Sequence, residues 1–429
     1  MNKKLILTLT LILLLLIGCS SPAPDEPQAA PTEVVAEIQI EMDDTTVQDE
    51  PQTPQQDVAA EAPAEIDDTI VQDDPQAFPP EVIAELQAEM DALTAEGFPP
   101  GVIMWIDAPE YQFEGASGFA NLADGIPMPP EGAFRIGSIT KMFTATVIMQ
   151  LVEDGVLTLD DPLALWLPEV AEQLPYGNQI TLRHLLTHTS GLFNVVEHES
   201  YYADLFTEMV VDEATGNVTL DCVERDPNDT LARYVYGKEA QFEPGTQWRY
   251  SNTNYTLLGM IIEKATGMPL AEAYRTHIYE PLGMTSTFLD CYEAPLADVV
   301  HGYTASGNTL TDVTELHESV GWSAGGLVST APDLIAFARG LFSGALFDNP
   351  ETVAAMTTPA PGSAYGLGIM LQDGYMGHAG MIAGFRSVLN YAPEFDTAVL
   401  MLYNTDAVGP EQSQAEMLNP VLPLLQAAE

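Results

Sequence analysis

The tetrads Asp25-Glu26-Pro27-Gln28, Asp49-Glu50-Pro51-Gln52 and Asp73-Asp74-Pro75-Gln76 recur every 24 residues, and this repeat decides how much of the 429-residue chain can fold. The stretches between them, Glu33 to Met42, Asp57 to Ile66 and Glu81 to Met90, align as well. Such self-similarity marks a repeated unit. The first two copies are rich in Pro, Gln, Ala and acid and lack aromatics. They bury too little apolar surface to offset the entropy of ordering. Residues 20 to 77 are therefore expected to form a disordered tether, extended by the mutual repulsion of its acids. In the third copy Val82, Ile83, Leu86, Met90 and Leu93 fall at helical spacing, so a folded domain of residues 78 to 429 is expected to open on a helix near Pro80.

Ahead of the tether, Lys3 and Lys4 precede an apolar run from Leu5 to Ile17 that is short for a bilayer span and ends in Leu16-Ile17-Gly18-Cys19. Residues 1 to 19 look like a bacterial lipoprotein signal peptide with Cys19 as the lipidated residue. Acyl chains bury methylenes at about 0.8 kcal/mol each. The expectation is a protein anchored on the extracytoplasmic face of a membrane.

Acidic residues number 63 against 13 basic ones, a formal charge of −50, and no Lys or Arg occurs from Leu5 to Phe134. Nothing here can neutralise a run of phosphates, so nucleic acid is not an expected partner. Beyond Cys19 the cysteines are Cys222 and Cys291. Outside the cytoplasm they could pair, or remain two separate thiols, and neither has a metal-like spacing to a histidine. No cofactor and no metal are expected, and the protein is expected to be a monomer.

Strands are expected over Gly101 to Asp107 and Tyr111 to Ala116, a helix from Ser138 to Asp154 burying the face of Phe143, Val147, Ile148 and Leu151, and another helix over Asn254 to Ala265. Residues 161 to 228 read as loops and short helices. Alternating runs at Leu367 to Leu371, Phe385 to Tyr391 and Thr397 to Tyr403 read as antiparallel strands, followed by a last helix over Gln412 to Leu425.

Ser138 and Lys141 stand three residues apart, so on a helix they share one face. A serine hydroxyl needs a neighbouring base to become a nucleophile, and a lysine forced out of water can lose its proton and serve. Tyr250-Ser251-Asn252 and Gly377-His378-Ala379-Gly380 follow in order. With Phe134-Arg135-Ile136-Gly137, the run His184-Leu185-Leu186-Thr187-His188-Thr189-Ser190-Gly191-Leu192 and Ser323-Ala324-Gly325-Gly326, the chain from Glu81 to Thr405 resembles the penicillin-recognising family of DD-carboxypeptidases, class C β-lactamases and related esterases.

The resemblance implies an α/β (α+β) fold: an antiparallel sheet formed from both chain ends, flanked by helices, with a mostly helical subdomain. It implies an acyl-enzyme on Ser138, with Lys141 as base, Tyr250 hydrogen-bonding Ser138 and passing a proton to the leaving group, and Asn252 donating its amide to substrate or to Lys141. It implies an oxyanion site from the backbone N–H groups of Ser138 and Met381 on an edge strand that Gly380 keeps open to substrate. His378 stands where many relatives carry lysine, and either places positive charge near the site or is a buried structural group. His184 and His188 read as packing or capping groups, and Trp322 as pocket or core.

Ala379 departs from the family pattern. Relatives that cut after D-alanine usually have Thr or Ser there to bind the substrate's terminal carboxylate, and alanine cannot. The expected function is D-Ala-D-Ala carboxypeptidase-type or related amide or ester hydrolysis at the cell envelope, on a small molecule or peptide stem. The alternatives are an esterase without carboxylate recognition and a non-hydrolytic penicillin-binding sensor.

Overall fold

A computed structural model describes residues 76–211, 218–306, 309–317, 319–372, 374–407 and 421–427. The leader, Cys19 and nearly all of the expected tether lie outside the described residues. The tether's last two residues do not: Gln76 and Ala77 form strand β1, which pairs in parallel with Tyr111 and Gln112. The folded unit thus starts at least two residues earlier than composition suggests, because backbone pairing does not depend on the side chains that made the repeat look unstructured.

Helix α1 (Pro80–Thr94) follows, then β2 (Gly101–Asp107) and β3 (Tyr111–Asn121). From the other chain end come β4 (Met370–Gln372), β5 (Tyr375–Ile382), β6 (Phe385–Ala392) and β7 (Thr397–Tyr403). They join in one sheet of order β1-β3-β2-β7-β6-β5-β4, with the short strand Ile126–Pro127 alongside β3. Every pair except β1·β3 is antiparallel, and the two chain ends meet where Leu400 of β7 faces Trp105 of β2. Every residue of β7 is buried, as a central strand covered on both faces must be. On one face Val82, Leu86 and Met90 of α1 pack with Val102, Met104, Val399 and Met401. The other face carries the larger core, including Ile103, Leu400 and Leu402 with helices α2 (Thr140–Glu153) and α4 (Ala331–Phe342).

Helix α2 departs from expectation in a way that matters for chemistry. Sequence spacing suggested one buried face, yet eleven of its fourteen residues are buried, Lys141 among them. A helix covered all round is a core element. Its threonines fit there because their hydroxyls find partners inside: Thr144 Oγ1 meets Tyr274 Oη at 2.6 Å and donates to Ser323 O at 2.7 Å. The helix also starts later than expected. Ser138 lies in a 3₁₀ turn, Gly137–Ile139, entered through a left-handed φ of 50° at Gly137.

Helix α3 (Asn252–Thr266) packs beside α2. Short helices such as Leu163–Trp166, Leu182–Leu186 and Pro227–Tyr234 occupy the expected helical region. The expected last helix is seen over Leu422–Ala427, and residues 408–420 lie outside the described residues. Cys222 and Cys291 form a disulfide with Cα atoms 5.1 Å apart. Asp290 and His317 bring their ligand atoms within 4.8 Å of those sulfurs, a convergence that sequence spacing did not reveal. The sulfurs are joined to each other, so they offer no thiolate to a metal.

Candidate active site

A small sheet sets the nucleophile. Strand Phe134–Arg135 pairs with Leu327–Ser329, and the N–H of Ile136 donates to Leu327 O at 2.9 Å. This ties the segment entering Ser138 to the one leaving Ala324, although they are far apart in sequence. Strand β5 closes against the same turn. A Cβ at Gly137 would come 2.7 Å from the Met381 nitrogen, and one at Gly380 would sit 2.0 Å from Ile136 O and 2.4 Å from Ser387 Oγ. Gly380 was expected to keep the strand open to substrate. It also lets β5 press against the backbone that carries Ser138, which brings Met381 beside the nucleophile. At Gly380 and Met381 β5 is an edge strand, as expected: β4 covers it only as far as Gly377, and beyond that its outer side pairs with no strand among the described residues.

Ser138 is half-buried and Lys141 is sealed, with a relative exposure of 0%. Lys141 Nζ lies 3.0 Å from Ser138 Oγ, 2.8 Å from Asn252 Oδ1 and 2.5 Å from the Ala324 carbonyl oxygen. The last two atoms only accept hydrogen bonds, so Nζ donates to both. A neutral amine has two hydrogens for those partners and one lone pair left, aimed at the serine hydroxyl. Asn252 was expected to donate its amide to substrate or to Lys141, and only the contact with Lys141 is seen here. The direction is reversed, because an amine that must keep its lone pair for serine can only give hydrogens to the amide oxygen. Burial holds the amine well below the ordinary lysine value of 10.5, and no carboxylate contacts Nζ among the described residues.

Tyr250 stands beside this group with its ring centre 4.9 Å from Nζ, and Tyr255 is at 5.5 Å. His378 is buried on the same side. Its Nδ1 is 2.6 Å from the Ala379 carbonyl oxygen, an acceptor, so Nδ1 carries a proton. Its Nε2, 3.0 Å from Tyr365 Oη, then accepts from that phenol. Burial, with help from Lys141, pushes His378 down to about 3. Of the two expected roles the buried structural group is the one seen, since both ring nitrogens are committed and water cannot solvate an imidazolium there.

His184 caps its helix, exchanging hydrogen bonds with Thr181 in a capping box. Trp322 is core, 4% exposed and 6.4 Å from Tyr292. The Ala324 carbonyl and the phenols of Tyr255 and Tyr365 were not singled out from sequence. A backbone oxygen has no sequence signature, and the run Ser323-Ala324-Gly325-Gly326 was the only pointer to it.

The family model for beta-lactamase matches residues 83–419. The chain belongs to the beta-lactamase family. Over 187 residues it is 35% identical to penicillin-binding protein 4* of Bacillus subtilis strain 168, covering 44% of this chain and 37% of that protein. Over 177 residues it is 36% identical to the esterase EstB of Burkholderia gladioli, covering 41% and 43%. The chain spans less than half the length of these two curated relatives. Among solved structures it resembles a D-stereospecific amidohydrolase from Streptomyces sp., at TM-score 0.67 and 31% identity over 78% of this chain and 97% of that one. The fold is that of this family, whose members named here include an esterase and an amidohydrolase.

Proposed function

We propose that the protein hydrolyses amide or ester bonds through an acyl-enzyme on Ser138, and that it prefers substrates without a terminal carboxylate, such as D-amino-acid amides and simple esters. The observation that carries this is the Lys141 amine, buried, without an acid, and bonded to two obligate acceptors with Ser138 at 3.0 Å. The serine proton passes to Nζ as Oγ attacks the carbonyl carbon. The N–H groups of Ser138 and Met381 receive the oxyanion. Tyr250 returns a proton to the leaving group, and water then releases the acyl group.

The substrate preference rests on Ala379 and Met381, whose side chains offer no hydrogen bond to a carboxylate, and on the likeness to a D-stereospecific amidohydrolase and an esterase. Penicillin-binding protein 4* supports a second reading, carboxypeptidase action on a peptide stem at the cell envelope. The leader sequence supports a lipid anchor at Cys19 and a site outside the cytoplasm.

One experiment separates these readings. Full-length protein is incubated with p-nitrophenyl acetate, D-phenylalanine amide, a D-Ala-D-Ala peptide and a fluorescent penicillin followed by a chase. Turnover of the ester and amide ahead of the peptide is expected, with an adduct on Ser138 that vanishes in Ser138→Ala. The Cys19→Ala form should show the same turnover, in the soluble instead of the membrane fraction. A stable penicillin label without any turnover means a sensor, and activity surviving Ser138→Ala sinks the acyl-enzyme.

A further inference from the structure

We propose that His188 is a positioning residue for this site, holding Tyr250 and Asn252 in place through a neutral imidazole whose Nδ1 only accepts; the proposal rests on the acyl-enzyme reading above. His188 lies in the run Thr187-His188-Thr189, just past the short helix Leu182–Leu186. Its backbone takes a left-handed φ of 59°, which histidine tolerates better than most side chains and which turns the chain inward. The side chain is fully buried, with 0% exposure.

Two N–H donors converge on its Nδ1: the backbone of Ser251 at 3.2 Å and the side-chain amide of Asn254 at 3.1 Å. The orientation of that amide is fixed from its other end. Ser190 Oγ accepts from Leu192 N at 3.1 Å, so its hydrogen is free to donate to Asn254 Oδ1 at 2.6 Å. Asn254 therefore turns Nδ2 toward His188. With Nδ1 a double acceptor, the neutral ring carries its proton on Nε2, which is buried and has no hydrogen-bond partner among the described residues. Nothing polar holds the ring from that side, and its placement comes from Nδ1 and from stacking. Its centre lies 4.3 Å from the Tyr250 ring, 4.7 Å from Tyr365 and 5.2 Å from Tyr255.

These contacts fall on both sides of the reacting group. The Ser251 N–H lies between Tyr250 and Asn252 in sequence, so fixing it fixes both neighbours. From the opposite side the Asn252 N–H donates to Asn194 Oδ1 at 3.0 Å. A displaced Tyr250 or Asn252 would spoil the proton path to and from Lys141, while the oxyanion site of Ser138 and Met381 stays where it is.

The test compares His188→Phe, which keeps a ring and loses the acceptor, with His188→Asn, whose Oδ1 replaces Nδ1 and whose side chain also suits a left-handed backbone. On p-nitrophenyl acetate, His188→Phe should lose about 100-fold in kcat, the scale of a misplacement near 1 Å, with KM nearly unchanged. His188→Asn should recover most of that loss. Independently, nitrogen chemical shifts of ¹⁵N-histidine-labelled wild type should report Nδ1 of His188 without a proton and Nε2 with one. Full kcat in His188→Phe, equal impairment of the two variants when both are folded, or a protonated Nδ1 would each overturn the proposal. The labelled spectrum decides the matter even if a variant fails to fold. Absence of turnover in the wild type counts against the function proposed above, and the tautomer still tests His188.

Discussion

Two basic side chains are buried six residues apart on either side of Ser138, and they are treated in opposite ways. Arg135 has side-chain exposure of 3% and meets Asp290, at 12%, with a 2.9 Å ion pair. Another of its nitrogens donates to Thr314 O at 2.7 Å, and His317 Nδ1 donates to the same Asp290 oxygen at 3.1 Å. Burial alone would raise the Asp290 carboxyl, yet the His317 hydrogen bond and the Arg135 charge hold it below the usual carboxylate range. Lys141 is as deeply buried and meets two neutral oxygens and a hydroxyl. A guanidinium cannot shed its proton, so burying it requires an anion; an amine can, so burying it without one yields a base. The residue type and the presence of an acid together decide which cation is structural and which is reactive.

The sharpest way to break this comparison is at Lys141. Lys141→Met keeps the length and apolar stem of the side chain and removes the lone pair. Loss of a positioned base costs up to about 10⁴-fold. Single-turnover acylation by a fluorescent penicillin or p-nitrophenyl acetate should fall on that scale while the variant stays folded. Acylation within tenfold of wild type would show that Ser138 takes its activation from elsewhere.

Next in size is the other cation. Asp290→Ala leaves the Arg135 charge buried and unpaired, an effect of about 3–5 kcal/mol in comparable sites. Urea unfolding should register a loss on that scale, and Arg135→Met/Asp290→Leu should regain most of it because no charge is then stranded. A loss under about 1 kcal/mol would mean that water reaches Arg135 in the folded protein, against its 3% exposure.

The contrast also explains what sequence could and could not reveal. The Ser138 and Lys141 proximity follows from helical spacing alone and survives even though Ser138 sits in a 3₁₀ turn before α2. Strand β2 was legible as an apolar run before a short turn, β6 and β7 as runs read as alternating, although β7 is buried along its whole length, and α1 from periodicity. What stayed hidden depends on long-range packing: Asp290 lies 155 residues from Arg135, and the Ala324 carbonyl 183 residues from Lys141. The charge state of His378 was hidden for the same reason. A histidine in a motif reads as a possible cation until Tyr365 and the Ala379 carbonyl are seen to occupy both its nitrogens.

The smallest expected effect is on the pH dependence of stability, and its sign separates the two buried groups. The unfolded chain keeps Lys141 protonated up to about 10.5, whereas in the folded protein the proton leaves at lower pH. Between those values the unfolded state binds the extra proton, so stability rises with pH across that window. The Asp290 contribution is present above the ordinary carboxylate value of 3.8 and is lost as pH falls through its lower folded value. The Lys141 window runs up to about 10.5 and the Asp290 window lies below 3.8, so they do not share an upper limit and urea midpoints measured across pH can assign each. Subtracting the Lys141→Met series from wild type should isolate a rise on the alkaline side. Acylation by the wild type should grow about tenfold per pH unit below the folded Lys141 value, because only the neutral amine accepts the serine proton. A flat difference between the two stability series up to pH 10 would mean that folding leaves the Lys141 proton in place, and Arg135 and Lys141 would then be two cations of one kind.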